Sequence, residues 1–475
     1  MTSNPTAPTE LVDDARNPSS AAERRPTPGI EEFCAAAADL LGPGSVIRDA
    51  AAREKASCDW AHMSPILSAK LPAGHAEVVL RPTSHEQLPG IMALAHRHRI
   101  PLTPRGKGTG NYGQAIPLYD GAVLDLTGCG RVLDAGDGWI RAEAGAKMSD
   151  LEAHARTLGQ ELWMFPSTFG TTVGGFLSGG SGGTGSLVHR TNGDGFVREL
   201  TVVPCTADAE PFTVRDTDAL PYIHAYGTTG ITATATVRLQ RARTWTGLFA
   251  AFDDWASATA GLSALVRLEP APRLVSLDEA DLVRVYQPDS ALDPTALNVR
   301  AIVEDDAVDA AWAIVRAHGG RVLEVRPAPD GPALISSLSF NHPTYHLMKA
   351  EDGWFHLEIG GDVLLGNRDG DGDGDIAEIR KVFPGTLLHL EGMRSGTVGM
   401  LMARYEDEQT VHEGIAALEA LGVGVHSPHN WYVDRRLDLV REAARTADPL
   451  GLLNPGKIPG KAGKVPDTGP TQETP

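Results

Sequence analysis

Between residues 77 and 240 short apolar runs alternate with glycine-dense turns, and from Gly247 onward helical and strand-like spacings of apolar positions follow one another. The segments 77–81 (EVVLR) and 100–103 (IPLT) read as strands on either side of a helix through Leu88, Ile91, Met92, Leu94 and Ala95. Thr83 stands as N-cap of that helix with Glu86 at the third position, a capping box, although Pro89 weakens its first turns. Further strands fall at 122–126, 139–143, 200–203 and 231–239, the last in strict alternation (ITATATVRL), and a helix capped by Ser149 with Glu152 at N3 spans 149–157. After a boundary at 241–244 the pattern predicts helices over 258–266, 308–318 and 435–446 and strands over 301–304, 321–325 and 357–365. Strands and helices mixed in this way predict an α+β chain.

Charge and composition narrow the class. The 475 residues carry 42 Lys+Arg against 61 Asp+Glu, a balance of −19, so a nucleic acid or an anionic membrane surface is not an expected partner. A 42% hydrophobic content over this length builds two to three domains with full cores. Cys34, Cys58, Cys129 and Cys205 show no metal-like spacing and read as reduced thiols. Residues 1–28 lack the basic and apolar parts of a secretory signal and read as a disordered leader, and 461–475 read as a disordered tail. No window reaches the ~18 apolar residues of a membrane span. A cytoplasmic protein is the expectation.

Gly108-x-Gly110-x-x-Gly113 formally matches a dinucleotide fingerprint, but that fingerprint needs a helix to start at its third glycine. The residues that follow, 114–121 (QAIPLYDG), carry a proline and a turn, so the Rossmann reading is rejected. A run of small residues after a strand can still turn successive N–H groups towards a diphosphate.

Six blocks, PRGKGTGNYG, GAVLDL, AEAGAKMSDLEAHARTLG, FPSTFGTTVGGFLSGG, GTTGITATATVRL and DPLGLLNPGKI, occur in this order. Together they resemble the vanillyl-alcohol-oxidase/p-cresol-methylhydroxylase (PCMH) family of FAD-linked oxidoreductases, over most of 77–240 and again at 448–458. The resemblance implies a two-part PCMH-type FAD-binding domain, 29–241 plus 426–460, enclosing a substrate domain on an antiparallel sheet, 242–425. Arg105, Gly106, Lys107, Gly108, Thr109, Gly110 and Asn111 would line the diphosphate. Pro166, Ser167, Thr168, Thr171, Thr172, Gly174 and Gly175 would line the ribityl chain and ring, and Gly182, Ser186, Gly230 and Ile231 would flank the adenine half or the ring. Covalent members of the family carry a histidine in the first loop and bicovalent ones a cysteine near the second; neither stands here, so FAD is expected to be non-covalent. The paired-histidine metal motif and the Glu-His-Gly of glycolate- and D-lactate-oxidising relatives are not intact either, which puts those substrates in question.

Flavin chemistry asks the protein for a base and for a positive or hydrogen-bonding group. Within 426–432 (HSPHNWY), His429 is the leading base and Tyr432 the second, against a structural role for a loop histidine. In 341–346 (NHPTYH), Pro343 suits a first helical turn that would put His342 and His346 near one face, for substrate contact or a metal. Asn454 and Lys457 would reach the flavin pyrimidine edge, with a surface salt bridge the other reading of Lys457. The acidic loop from Asn367 places Asp369, Asp371, Gly372 and Glu378 at EF-hand positions, but Asn367 and Gly374 break that pattern and a solvated loop is expected. The activity implied is hydride abstraction from a small alcohol or hydroxy acid, with oxygen or another acceptor taking the electrons. Flavin-dependent cyclisation or desaturation and a non-catalytic flavin-binding scaffold are the alternatives.

Overall fold

Val78–Leu80 and Ala122–Asp125 are almost continuously apolar, as strands covered on both faces must be, and with Leu102–Arg105 they form a parallel set with Ala122–Asp125 in the middle. The computed structural model, which describes residues 26–365 and 374–459, adds Val46–Ile47 antiparallel at one edge. Helices Ile30–Leu41 and Leu88–His98 pack on this sheet through Phe33, Ile91 and Met92, all fully buried. Fully burying side chains of this size contributes about 1.5–3 kcal/mol each. The far end of the chain returns here: Leu102 N donates to Leu452 O at 2.8 Å and Asn454 N to Leu102 O at 2.9 Å.

A second, antiparallel sheet follows the order Val132–Gly136, Trp139–Glu143, Ile231–Arg241, Val197–Val203 and Phe212–Arg215, with Gln160–Leu162 paired to the far end of Ile231–Arg241. A third contains eight strands, in the order Arg321–Pro327, Trp245–Phe252, Leu297–Glu304, Leu274–Asp278, Leu387–Met393, Gly396–Arg404, Trp354–Gly360 and Gly424–His426, every pairing antiparallel. Helices Trp255–Val266 and Val308–Ala317 cover one face of this third sheet. Its other face buries a charged group: Asp278 accepts from Arg300 and Tyr286 and pairs with His389, which also meets Glu391. Removing one member of such a buried set leaves its partner's charge uncompensated. The α+β expectation holds, and no described helix is long and apolar enough to cross a membrane.

Three local expectations change. Ser84, not Thr83, is the capping residue: its Oγ accepts from Glu86 N in a 3-10 turn, His85–Gln87, and helix Leu88–His98 begins after it. Glu86 turns instead to Arg131. The helix expected from Ser149 begins at Met148 without a side-chain cap, because Glu152 is drawn to Arg156 and to the amide of Leu162. The strand expected over 357–365 is Trp354–Gly360 followed by a 3-10 turn, Asp362–Leu365. Of the acidic loop, only Glu378 has a described side chain; it pairs with Lys381 on helix Gly374–Val382, and residues 367–373, like residues 1–25 of the leader and the tail 461–475, lie outside the described residues.

Candidate functional site

The parallel strand Leu102–Arg105 ends in the first glycine loop, at the carboxyl edge where open α/β sheets place ligands. Gly108 has φ +66°, a left-handed conformation that side chains rarely adopt. A Cβ on Gly106 would stand 2.2 Å from Thr172 Oγ1, so the absence of a side chain there lets the two glycine loops close on each other. Thr109 and Thr171 meet across the same seam at 3.3 Å. The backbone N–H groups from Gly106 to Asn111 have no acceptor among the described residues. That leaves an array of unengaged donors on residues that line a cleft, with Arg105 and Lys107 among them, a fit to a diphosphate.

The cleft holds about 290 Å³ of water-accessible space and is partly open to solvent. Arg105 to Asn111, Pro166, Ser167, Thr168, Thr171, Thr172, Gly174, Gly175, Gly182 and Ile231 line it. Ser186, Gly230, Asn454 and Lys457 do not. Ser186 Oγ accepts from Gly183 N at 3.0 Å, and Gly230 faces Val202. Asn454 donates to the carbonyls of Gln114 and Tyr226, both at 2.8 Å, and Lys457 Nζ to that of Gly113 at 2.5 Å. Both brace the loop from behind. Lys457 is wholly buried rather than a surface residue, and burial pulls its pKa down against the charge of Asp59.

The opposite wall comes from the third sheet and the chain after it. Glu358 is the register partner of Met400 on one side and of His426 on the other, so the three form a transverse row that faces the cleft. His426 donates through Nδ1 to Glu358 at 2.9 Å and through Nε2 to Asp434 at 2.7 Å, and Arg435 lies 3.5 Å from Glu358. Burial alone would favour a neutral His426 ring, but hydrogen bonds to Asp434 and Glu358 raise its pKa to about 9. Burial pushes the two carboxyls up, and His426 outweighs it, so both sit below their usual range. His426, Glu358 and Asp434 are therefore charged at neutral pH.

His342 also lines the cleft. The Ser337 carbonyl, 2.8 Å from Nδ1, can only accept, so Nε2 receives the Thr168 hydroxyl at 3.0 Å. His346 of the same helix packs on Tyr286 instead and does not line the cleft. His429 is 4% exposed and lies outside the lining. Its Nε2 donates to His356 O at 2.7 Å and its Nδ1 accepts from Ser64 at 2.9 Å, which leaves no lone pair for a substrate proton; burial lowers its pKa to about 4. Tyr432 lies outside the lining as well.

Sequence reasoning missed Tyr112, His224, Glu358, His426, Asp434 and Arg435, all of which line the cleft. The one available signal was the cluster 426–429, where His426 stands three residues from the favoured His429. Glu358 carries no local signal.

Residues 76–210 match the model of the FAD binding domain family. A D-lactate dehydrogenase of Anaerostipes hadrus is 29% identical over 134 residues, 28% of this chain and 28% of that protein. The glycolate oxidase subunit GlcD of Escherichia coli K12 is 28% identical over 179 residues, 34% of each chain. The rat mitochondrial D-2-hydroxyglutarate dehydrogenase is 24% identical over 136 residues, 28% of this chain and 24% of that protein. The alignments thus span about a third of these relatives' length at most. In solved structures, an alkyldihydroxyacetonephosphate synthase superposes with a TM-score of 0.69 at 16% identity, covering 89% of this chain and 85% of that one, a likeness of fold. The donor array, with Arg105 and Lys107 beside it, fits the diphosphate of FAD.

Proposed function

From the premise that this chain carries a PCMH-type FAD-binding domain, we propose that it oxidises a small alcohol or hydroxy acid and passes the electrons to oxygen or another acceptor. The observation that carries the reading is a single cleft with the glycine-loop donors on one wall and the charged row His426, Glu358, Asp434 and Arg435 on the other. FAD, when bound, supplies the hydride acceptor. Residues 29–241 and 426–460 hold the cofactor in this reading and 242–425 the substrate, supported by the return of Leu452 and Asn454 to Leu102.

The chain's own residues handle protons and charge. His426, protonated with both N–H groups held by Glu358 and Asp434, is a fixed positive charge that needs no reorganisation during the reaction. His224 is the proton acceptor. Its Nδ1 faces the Gly180 carbonyl at 3.2 Å and so carries the hydrogen, while Nε2 has only Tyr226 OH at 3.5 Å. Burial brings its pKa to about 4, which keeps the ring neutral above that pH. Tyr112, by contrast, is committed: it accepts from Asn341 at 2.7 Å and donates to His356 at 3.0 Å.

FAD is held non-covalently in this account. No cysteine lines the cleft, and the nitrogens of His342 and His426 are all hydrogen-bonded. A cytoplasmic location belongs to the same reading, supported by four unpaired cysteines. Replacing His224 with Asn tests the assignment: anaerobic flavin reduction by an accepted substrate should slow by about 10²–10⁴-fold with FAD content unchanged. An unchanged rate would remove His224 as the base.

A further inference from the structure

A chain of alternating charges lies behind one turn of the cleft wall. Arg300, Asp278, His389 and Glu391 stand on three neighbouring strands of the third sheet, each at most 2% exposed. Asp278 accepts from Arg300 and from Nδ1 of His389, and Nε2 of His389 donates to Glu391 Oε1 at 2.9 Å. Both ends of the chain then reach the same stretch of backbone. Arg300 donates to Leu338 O at 3.1 Å, and Glu391 Oε1 accepts from Phe340 N at 2.7 Å. Replacing buried ion pairs by apolar side chains of similar volume is often neutral or stabilising. Covering this face of the sheet therefore does not call for buried charges, whereas fixing a backbone C=O and a nearby N–H does.

The turn held in this way joins helix Asp330–Ser337 to helix His342–Ala350. Phe340 has φ +57°, a left-handed conformation that a bulky residue keeps only where its surroundings impose it. Phe340, Asn341 and His342 all line the cleft. The turn also meets the ligand loops: Ser167 Oγ donates to Ser339 O at 3.2 Å, the Thr168 hydroxyl to His342 Nε2 at 3.0 Å, and Asn341 to Tyr112 OH at 2.7 Å. A Cβ on Gly182 would stand 3.3 Å from Cε1 of Phe340, so that ring lies against the second loop. Glu391 itself does not line the cleft. We propose that Glu391 is a positioning residue for substrate oxidation: through the Phe340 amide it holds the turn 338–342 in the conformation that completes the substrate side of the cleft. His389, Asp278 and Arg300 hold Glu391 in turn. The proposal rests on the oxidoreductase reading above.

The test uses FAD-loaded protein and variants at Glu391. Glu391→Leu takes the acceptor away from Phe340 N. Glu391→Gln keeps a carbonyl oxygen in the place of Oε1, able to accept from both Phe340 and His389. The double variant His389→Leu, Glu391→Leu removes a positive and a negative group together and leaves Arg300 paired with Asp278, so that no orphaned charge unfolds it. Anaerobic bleaching is followed against the concentration of D-lactate, glycolate and (R)-1,2-propanediol, with FAD content equal to wild type as the check on folding. In both Leu forms the half-saturating concentration should rise by about tenfold or more. The limiting rate should fall less, because His224 lies outside this network, and Glu391→Gln should recover most of the lost affinity. Hydrogen exchange over 338–342 should quicken in the Leu forms and not in Glu391→Gln. The proposal is overturned if the double variant matches wild type in half-saturation, or if Glu391→Gln is as impaired as the Leu forms. Wild-type protein that takes up no FAD, or whose FAD none of these compounds reduces, sinks the functional reading and this proposal with it.

Discussion

Lys457, wholly buried near the C-terminal end of the described chain, donates its ammonium to the carbonyl of Gly113 at 2.5 Å, across 344 positions of sequence. This bond ties the returning segment to the end of the first glycine loop. With Lys457→Met the Gly113 carbonyl loses its donor and Asp59 a compensating charge. The expected result is a loss of about 1–3 kcal/mol in urea unfolding and FAD affinity weaker by about tenfold. Equal affinity in a folded variant would mean that the brace does not shape the loop.

The closure of the two glycine loops predicts a second pair of effects. In Gly106→Ala the new methyl would meet Thr172 Oγ1 at 2.2 Å and hold the loops apart. FAD affinity should fall about tenfold or more. Adding Thr172→Ala removes the hydroxyl, at a cost of about 1 kcal/mol for the lost cap, and should restore much of that affinity. FAD titrations of the two variants decide it.

His426 sets a pH limit. Its pKa is about 9 in the folded protein against 6.5 for a free ring. A group raised on folding adds stability that is complete below about 6.5 and is lost as pH climbs through about 9. Urea midpoints should therefore fall across that window, less steeply in His426→Asn; His389, also raised to about 9, adds to the fall, and Lys457, lowered to about 7, opposes it. Substrate reduction of the flavin should decline over the same limb as the positive group is lost.

How far the sequence foretold this depends on where each signal resides. The alternation of ITATATVRL encodes its own strand, and it appears as Ile231–Arg241. Close approach of backbone to a ligand selects glycine in place, so both loops were legible and most of the residues proposed for them line the cleft. The charged row is different in kind. Glu358 and His426 are opposite one another only because Trp354–Gly360 pairs antiparallel with Gly424–His426, and register between distant strands leaves no local mark. The choice between His426 and His429 turned on which ring the chain carries inward after that strand, and it is His429 that Ser64 and the His356 carbonyl hold. Caps were misjudged for a related reason: Glu86 and Glu152 found arginines that the local pattern does not reveal.

Attachment of the cofactor can be read directly. Acid precipitation of FAD-loaded protein should leave the yellow colour in the supernatant, because no cysteine lines the cleft and both nitrogens of His342 and of His426 are hydrogen-bonded. Colour that stays with the pellet would show a covalent link and contradict the non-covalent account.

The central claim is tested most directly by adding FAD to the purified protein and following the flavin band anaerobically with a panel of small diols, alcohols and hydroxy acids. The account predicts stoichiometric FAD binding and complete bleaching by at least one of these compounds, slowed in His224→Asn. Protein that binds no FAD, or bound FAD that no member of the panel reduces, would contradict it.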